Sequence, residues 1–471
     1  GRVAAWLASI DAACEVVRAQ GCKRVVVCGV RLGALLAVIA AGRRTDIAGV
    51  ATIAAVTSGR AYLREAKMMQ NAMGLALRPA ADGADELVGF ALTEETKSAL
   101  NAIDLVKSLD VPAPSMLVVD RDDLPASDKW IASLRARGVA VQHERLPGYV
   151  EMVLDPHKTE VPDRIASAVV AYASMLAARE SSVAAPASTP LSTTHDREEV
   201  IEVAGLRAIA SRPETTNGTA LILLNAGAVR RIGPNRLHVM LARELADTLV
   251  IRADLSGLGD SPGAPDNMVY SDRAVADVGA LVAWAKGQGA KRIVVGGLCS
   301  GAYHAQKAAA AGQPIDRVIA INPLTFFWTP DTPLDATSAR VTSEAKRYGE
   351  SAMSAAAWKK LLRGQVDVRR VAGILGRRVR NTLEHRGREL LRKLRVPLPL
   401  DLGTELAKLH QRGVGVHFIF VPSDPGEAML REEGGSIVNR AVTIENIEGP
   451  DHTFTPRWSH PVLIAAIKRA L

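Results

Sequence analysis

The sequence predicts an α/β protein made of two consecutive domains of one fold, each with a mostly parallel sheet. Short apolar runs alternate with helical patterns, which is typical of a parallel sheet covered by helices on both faces. One strand–turn–helix segment occurs twice, and a stretch rich in Ser, Thr, Ala and Pro separates the two occurrences. The 471 residues are enough for two full hydrophobic cores.

The repeated segment carries the main functional signal. Residues 21–34 (GCKRVVVCGVRLGA) and 289–302 (GAKRIVVGGLCSGA) are identical at eight of fourteen positions. Both keep the two glycines of a G-x-nucleophile-x-G pattern, which places a nucleophile on a strained turn between a strand and a helix. Cys299 stands at the centre of the second copy, and Arg31 stands at the centre of the first. We therefore expect chemistry in the second domain only.

Residues 1–179 form the first predicted domain, and residues 180–197 form a linker. In the first domain, only about 20 residues precede the strand that leads into the G-x-nucleophile-x-G turn, which we call the elbow. This domain is therefore expected to be N-terminally incomplete. Residues 57–110 are interpreted as an inserted cap. The predicted elements are helices at 2–20, from 31 onward and at 162–178, with strands at 22–28, 47–55, 115–119 and 139–146.

Residues 198–471 form the second, catalytic domain, with a helical cap at about 323–412. Eight strands are predicted here, and helical patterns lie between most of the later ones. The strands are 198–203, 206–211, 219–225, 248–253, 292–297, 317–321, 415–422 and 441–446.

Cys299 is the predicted nucleophile, because a thiol at a helix N-terminus is biased towards the thiolate. An orienting acid and then a histidine are expected after it in chain order. Asp424 lies in a turn that follows a late strand, with Glu427 as the alternative acid, and His452 lies in the loop after the last strand. Other histidines of this domain lack that loop context: His238, His304, His410 and His460.

Two backbone N–H groups are predicted to hold a developing oxyanion. One belongs to Ser300, the residue after the nucleophile. The other is expected in the loop after the third strand, where we favour Ala228 and next Val229. Asp254 and Asp260 follow the fourth strand and are interpreted as residues of a structural turn.

The first domain lacks the equivalent histidine. His452 stands three residues beyond Gly449, whereas Gly148 is followed by Tyr, Val and Glu. His157 is at most a displaced substitute, although Asp122 or Asp123 keeps the position of the acid. We interpret this domain as a non-catalytic copy that packs against the second domain or binds a ligand.

Composition limits the other functional classes. The four cysteines have no metal-type spacing, and no run is apolar enough for a membrane span or signal peptide. We predict a cytoplasmic protein with no metal, cofactor or transmembrane segment.

The net charge is +8, and residues 359–395 hold 13 basic against 3 acidic side chains. This segment is either a solvated helical face or a surface for an acidic substrate, a phosphopantetheine carrier or an anionic surface. Nucleic acid is disfavoured, because few aromatic residues are present.

Several segments resemble the α/β-hydrolase superfamily: LNAGAVRRIGPNRL, ADLSGLGDSPG, GLCSGA, PSDPGEAML and EGPDHTFTP. Their sequences are similar to those of serine-aminopeptidase-like hydrolases, and among these to hydrolases associated with exosortase and exopolysaccharide systems. A cysteine at the nucleophile position, in place of serine, resembles the dienelactone-hydrolase-like and polyester-synthase-like members of the superfamily.

The resemblance implies a hydrolase that cleaves an ester or thioester through a Cys–His–Asp triad and an acyl-enzyme. One alternative is an acyltransferase that uses a carrier or coenzyme A thioester. Another is a non-catalytic scaffold in polysaccharide assembly. The expected partner is a small-molecule or carrier-bound acyl substrate, and the sequence specifies neither the acyl group nor an oligomeric state.

Overall fold

The computed structural model describes residues 2–75, 78, 84–125, 127–154, 158–177, 195–263, 269–328, 387 and 401–471. The chain divides into two compact units. The first comprises Gly1–Pro190 with Pro456–Trp458, and the second comprises Leu191–Thr455 with Ser459–Leu471. Each unit has hydrophobic clusters on both faces of its main sheet.

The first unit alternates strands and helices from its start. Its elements are α1 (Val3–Ala19), β1 (Val25–Val30), α2 (Leu32–Gly42), β2 (Ile47–Ile53), α3 (Gly59–Ala72), β3 (Asp85–Leu87), β4 (Phe90–Leu92), α4 (Glu94–Asn101), β5 (Ser115–Arg121), α5 (Asp128–Ala136), β6 (Ala140–Leu146), α6 (Tyr149–Met152) and α7 (Asp163–Ala177).

The second unit begins with three strands before its first α-helix. Its elements are β7 (Glu198–Val203), β8 (Leu206–Ser211), β9 (Thr219–Leu224), α8 (Leu237–Glu244), β10 (Leu249–Ala253), α9 (Arg273–Gly287), β11 (Arg292–Leu298), α10 (Ser300–Ala310), β12 (Arg317–Ile321), α11 (Leu402–Gln411), β13 (Gly415–Phe420), α12 (Gly426–Gly434), α13 (Val438–Ala441), β14 (Val442–Asn446) and α14 (Ser459–Ala470). Short 3₁₀ turns occupy Pro234–Arg236 and Gly435–Ile437.

The eight strands of the second unit form one sheet in the order β7-β8-β10-β9-β11-β12-β13-β14. Strand β8 runs antiparallel to both of its neighbours, and every other pairing is parallel. The central strands read as continuous apolar runs because helices cover both of their faces. The carboxyl ends of the parallel strands therefore meet at one edge, where ligands bind in sheets of this type.

The first unit has a four-stranded parallel sheet in the order β1-β2-β5-β6, which matches β11-β12-β13-β14. The match extends to single hydrogen bonds at the strand ends. Arg31 N–H donates to the Ile53 carbonyl at 3.0 Å, and Cys299 N–H donates to the Ile321 carbonyl at 2.9 Å. The loop after the last strand of each sheet contains a left-handed glycine, Gly148 (φ 108°) or Gly449 (φ 99°).

The predicted strands of the second unit are confirmed to within two residues, because their apolar runs end at clear turn residues. In the first unit β1 begins three residues later than predicted, since Cys22 and Lys23 remain in the turn after α1. The β3–β4 hairpin in residues 57–110 was not predicted.

The predicted cap at 323–412 falls mostly outside the described residues, as does the basic segment at 359–395. The predicted linker at 180–197 is described only from residue 195 onward. Within the described part of the chain, no helix is both long and apolar enough to cross a bilayer.

Candidate active site

Cys299 occupies a strained turn between β11 and α10. Its backbone adopts φ 58° and ψ −115°, a conformation that costs free energy for any residue with a Cβ. Arg31 has almost the same conformation, φ 53° and ψ −118°, between β1 and α2. The glycine pattern thus produces the same turn twice, with a half-buried thiol in one copy and a guanidinium in the other.

The glycines at the Cys299 turn are needed for close backbone packing. A Cβ on Gly297 would lie 2.8 Å from the Cα of Gly301. A Cβ on Gly301 would lie 2.8 Å from the carbonyl oxygen of Asn225, in the loop after β9. In the first unit a Cβ on Gly33 would meet nothing within 4 Å, because no comparable loop packs there.

The structure brings Asp424 and His452 together from two separate loops. Asp424 lies in the turn between β13 and α12, and the His452 Nδ1–H group donates to its carboxylate at 2.5 Å. Glu427, the alternative acid, instead accepts hydrogen bonds from Arg431 and Asn446. Of the two candidate acids, Asp424 is therefore the one that contacts the Nδ1 side of the His452 ring.

The opposite side of the His452 ring is available to the thiol. Its Nε2 atom is buried and has no hydrogen-bond partner among the described residues. Burial by itself lowers the pKa of His452, but Asp424 and the neighbouring Cys299 outweigh it and raise the pKa to about 10. The ring thus interacts with the sulfur without a fully formed hydrogen bond, and such contacts often tighten only when substrate binds.

The loop after β9 carries the two candidate oxyanion donors, Ala228 and Val229, and their N–H groups differ in whether they are already engaged. The Gly227 N–H donates to the Ser300 hydroxyl at 2.8 Å, and the Val229 N–H donates to the Ala226 carbonyl at 3.0 Å. The Ala228 N–H between them makes no hydrogen bond with the described part of the chain. Ser300 begins α10, so its own N–H has no carbonyl partner within the helix. The alternative donor, Val229, is engaged in a turn.

A buried polar network holds this loop in place. The Asn225 side chain donates to the Val229 carbonyl at 2.9 Å and to Asp254 at 3.0 Å. Asp254 is fully buried and also pairs with Arg231, which reaches Asp260 at 2.7 Å. Asp254 and Asp260 are thus structural, as the sequence predicted, and they shape the loop that carries Ala228.

Two residues that support the histidine loop were missed in the sequence. Asn322, directly after β12, donates to the His452 carbonyl at 2.8 Å and accepts from the Val421 N–H at 2.8 Å. Asp451 accepts from the Thr455 N–H at 2.6 Å and so closes the turn around His452. A polar residue at the carboxyl end of an apolar parallel strand is a signal that could have revealed Asn322.

Tyr270 was also missed, although Cys299 is one of the groups that shift the pKa of its phenol. It precedes α9 and is 5% exposed. Burial, followed by the neighbouring Cys299 thiol, raises the pKa of its phenol far above the ordinary value. No motif surrounds Tyr270 in the sequence, so only the tertiary structure reveals this interaction.

The corresponding edge of the first unit has no comparable arrangement among the described residues. Arg31 pairs with Glu65, and Asp123 pairs with Arg121. His157 lies outside the described residues. Asp120, Asp128 and His143 place ligand-type atoms within 4.8 Å of one another. This group needs no metal to explain it, since Asp120 already accepts from Ser127 and pairs with His143 at 3.1 Å.

The sheet order, the strained turn after β11 and the loops after β13 and β14 define a protein of the α/β-hydrolase fold. The model of the Alpha/beta hydrolase family matches residues 226–467, slightly more than half of the chain. The chain belongs to this family, and membership supports a hydrolase. Among curated proteins, no sequence matches the chain at a significant level.

Solved structures similar to this chain include an α/β serine hydrolase homologue from Coxiella burnetii (15% identity, 60% of this chain, 100% of that chain, TM-score 0.34). An α/β hydrolase from Sphaerobacter thermophilus has 22% identity, 57% and 100% coverage and a TM-score of 0.33. An esterase from Pyrococcus furiosus has 15% identity, 60% and 96% coverage and a TM-score of 0.37.

Proposed function

We propose that this protein hydrolyses an ester or thioester through an acyl-enzyme on Cys299. The observation that carries the proposal is the position of His452. Its Nδ1–H is held by Asp424 at 2.5 Å, and its buried Nε2 is free of other partners in the described chain and is next to the thiol. A nucleophile, a base and an orienting acid in that relation are the parts required for acyl transfer.

The reaction proceeds in two balanced steps. The Cys299 thiol gives its proton to His452 and its sulfur attacks the acyl carbonyl carbon, while backbone N–H groups of Ser300 and Ala228 stabilise the oxyanion. Collapse breaks the bond to the leaving alcohol or thiol, which takes a proton from the His452 imidazolium. His452 then removes a proton from water as the water attacks the acyl carbon. The carboxylic acid is released, and the electron pair of the broken bond returns to sulfur.

Thioesters and activated esters suit this site better than amides. Amines are poor leaving groups, so amides are the harder substrates for this chemistry. Transfer to an alcohol or amine acceptor instead of water is the alternative, and it uses the same acyl-enzyme. A carrier-bound or anionic substrate would be complementary in charge to the basic segment at 359–395. The cytoplasmic location remains a prediction.

The intact mass of the full chain tests the proposal after incubation with p-nitrophenyl esters and acyl thioesters of graded chain length. We expect a mass increase of one acyl group on Cys299, and Cys299→Ala should abolish it. Hydrolysis predicts that the adduct decays in water alone. An adduct that decays only when an alcohol or amine is added would identify an acyltransferase.

Alkylation with iodoacetamide near neutral pH provides a test that needs no substrate. Cys299 should react faster than Cys22 and Cys28, which serve as internal controls because Cys22 is half-buried and Cys28 is exposed. His452→Gln should remove this advantage, whereas His410→Gln, at an exposed position of α11, should preserve it. Equally slow labelling in wild type and His452→Gln, with no acyl adduct, would favour the non-catalytic scaffold in polysaccharide assembly.

We further infer that the first unit is a partial, non-catalytic copy of the second. The matching order of four parallel strands and the shared backbone conformation of Arg31 and Cys299 support this interpretation. A guanidinium cannot attack a carbonyl carbon, so this copy performs no acyl transfer.

A further inference from the structure

We infer that the side-chain hydroxyl of Ser300 positions the loop after β9 and so sets the spacing between the two proposed oxyanion donors. This inference rests on the proposed function, because it concerns the same site. The sequence predicted only a backbone role for Ser300, as the residue whose N–H follows the nucleophile. The hydroxyl is a separate group, and Ser300→Ala removes it while the N–H remains.

The Ser300 hydroxyl bridges two backbone groups of the loop after β9. It accepts a hydrogen bond from the Gly227 N–H at 2.8 Å and donates one to the Asn225 carbonyl at 3.3 Å. Ser300 and Asn225 are each 1% exposed, so the bond between them is shielded from water. A single side chain at the start of α10 is therefore bonded to the loop on both sides of Ala226.

The part of the loop that follows is a tight turn. The Val229 N–H donates to the Ala226 carbonyl at 3.0 Å and closes a turn whose two central residues are Gly227 and Ala228. Gly227 has φ 57°, in the left-handed region that such a turn requires at this position. Because the Ala228 N–H lies within this turn, its position depends on how the turn is anchored. The bond from Gly227 to Ser300 is such an anchor.

The Asn225 side chain anchors the same turn to a different element. Its amide donates to the Val229 carbonyl at 2.9 Å and to Asp254, directly after β10, at 3.0 Å. The Ser300 hydroxyl instead holds the turn to α10, the helix that begins after the nucleophile. Since the proposed donors are the N–H groups of Ser300 and Ala228, this bond acts directly on their separation. Both donors must lie about 3 Å from one oxygen atom, so their separation affects the rate.

The first unit provides an internal comparison. Leu32 takes the position of Ser300 there, directly after Arg31. A leucine side chain neither donates nor accepts a hydrogen bond, so it cannot form this bridge. The hydroxyl is thus present at the elbow that carries the thiol and absent from the elbow that carries the guanidinium.

The test compares two reactions of the Cys299 sulfur in the full chain, each followed by mass spectrometry. Acylation by p-nitrophenyl acetate develops negative charge on the carbonyl oxygen and therefore uses both oxyanion donors. Alkylation by iodoacetamide forms a bond from sulfur to carbon and expels iodide, so no oxyanion develops. Ser300→Ala should slow acylation by about 10²-fold, because the second donor is displaced, and should keep the alkylation rate of Cys299 close to wild type.

Two further variants complete the comparison. Ser211→Ala removes another buried serine hydroxyl, 2% exposed, from the end of β8 that pairs with Val250 near the amino end of β10. It lies at the sheet edge opposite the site and should leave both rates at wild type. Ser300→Thr keeps a hydroxyl at the site and should acylate at least about tenfold faster than Ser300→Ala.

The outcomes separate this inference from the proposed function. Acylation of Ser300→Ala at the wild-type rate overturns the role of the hydroxyl and leaves the nucleophile intact. Equal slowing of acylation and alkylation also overturns it, because the damage then extends beyond the oxyanion loop. Equally slow acylation of Ser300→Ala and Ser300→Thr does the same, since the hydroxyl would then have no effect of its own. A wild-type Cys299 that forms no acyl adduct and labels no faster than Cys22 overturns both proposals.

Discussion

At the scale of single residues, the two elbow turns differ in what surrounds them. Cys299 and Arg31 share a positive φ, which persists only where the surrounding packing enforces it. Gly301 packs against the backbone of the loop that presents Ala228, whereas Gly33 faces open space. The second glycine therefore has a packing role in the turn at Cys299 that it lacks in the turn at Arg31.

Substituting Gly301→Ala should impair the site. The new Cβ would lie 2.8 Å from the Asn225 carbonyl oxygen and would push the oxyanion loop out of position. A displacement of this kind can lower the rate by about 10²-fold. The rate of acyl-enzyme formation measures the effect.

The matched control is Gly33→Ala, which places a methyl group in open space at the start of α2. It should leave the rate unchanged and stabilise the fold by about 0.4–1 kcal/mol, measured by thermal unfolding. Equal losses in both variants would mean that the close packing at Gly301 is unimportant.

At the scale of elements, the site is assembled from loops at the carboxyl ends of four strands. The loop after β9 carries Ala228, the turn after β11 carries Cys299, the turn after β13 carries Asp424 and the loop after β14 carries His452. Parallel pairing brings these ends to one edge of the sheet. Asn322, after β12, links the histidine loop to the end of β13, so neighbouring strands also set the distance between acid and base.

Replacing Asp424 by asparagine tests the role of the turn after β13. The amide of Asp424→Asn cannot stabilise the imidazolium and favours the wrong tautomer, so kcat/KM should fall by about 10³-fold or more. Steady-state hydrolysis of the best p-nitrophenyl ester provides the measurement.

Glu427→Gln, in the first turn of α12, is the control variant for Asp424→Asn. Its carboxylate binds Arg431 and Asn446 rather than His452, so the loss should stay within about tenfold. A larger loss in Glu427→Gln than in Asp424→Asn would reassign the orienting acid.

At the scale of the whole molecule, one chain contains an eight-stranded sheet and a four-stranded sheet with the same local order. The shorter sheet keeps the turn but lacks an acid–histidine pair in the loops that follow its last two strands, within the described residues. Its His143 belongs to strand β6 itself and pairs with Asp120. We therefore expect the elbow backbone alone to be insufficient for nucleophilic chemistry.

Introducing Arg31→Cys into a Cys299→Ala background tests whether a thiol at the first elbow can react without a histidine partner. The introduced thiol would occupy the elbow conformation without a histidine partner, so we expect no acyl adduct and no alkylation faster than at Cys28. An acyl adduct on the introduced thiol would show that the first unit retains a functional base. Intact mass and peptide mapping give the answer.

The sequence by itself determined the strand pattern of the second unit, the two elbow turns and the order of nucleophile, acid and histidine. These features depend on local chemistry: apolar runs, glycines that permit a tight turn, and polar residues just after strands. The tertiary structure decided which acid meets His452 and that Asn322 links the histidine loop to the end of β13. Such contacts join residues far apart in the chain, and packing of whole elements, rather than any local pattern, sets their distances.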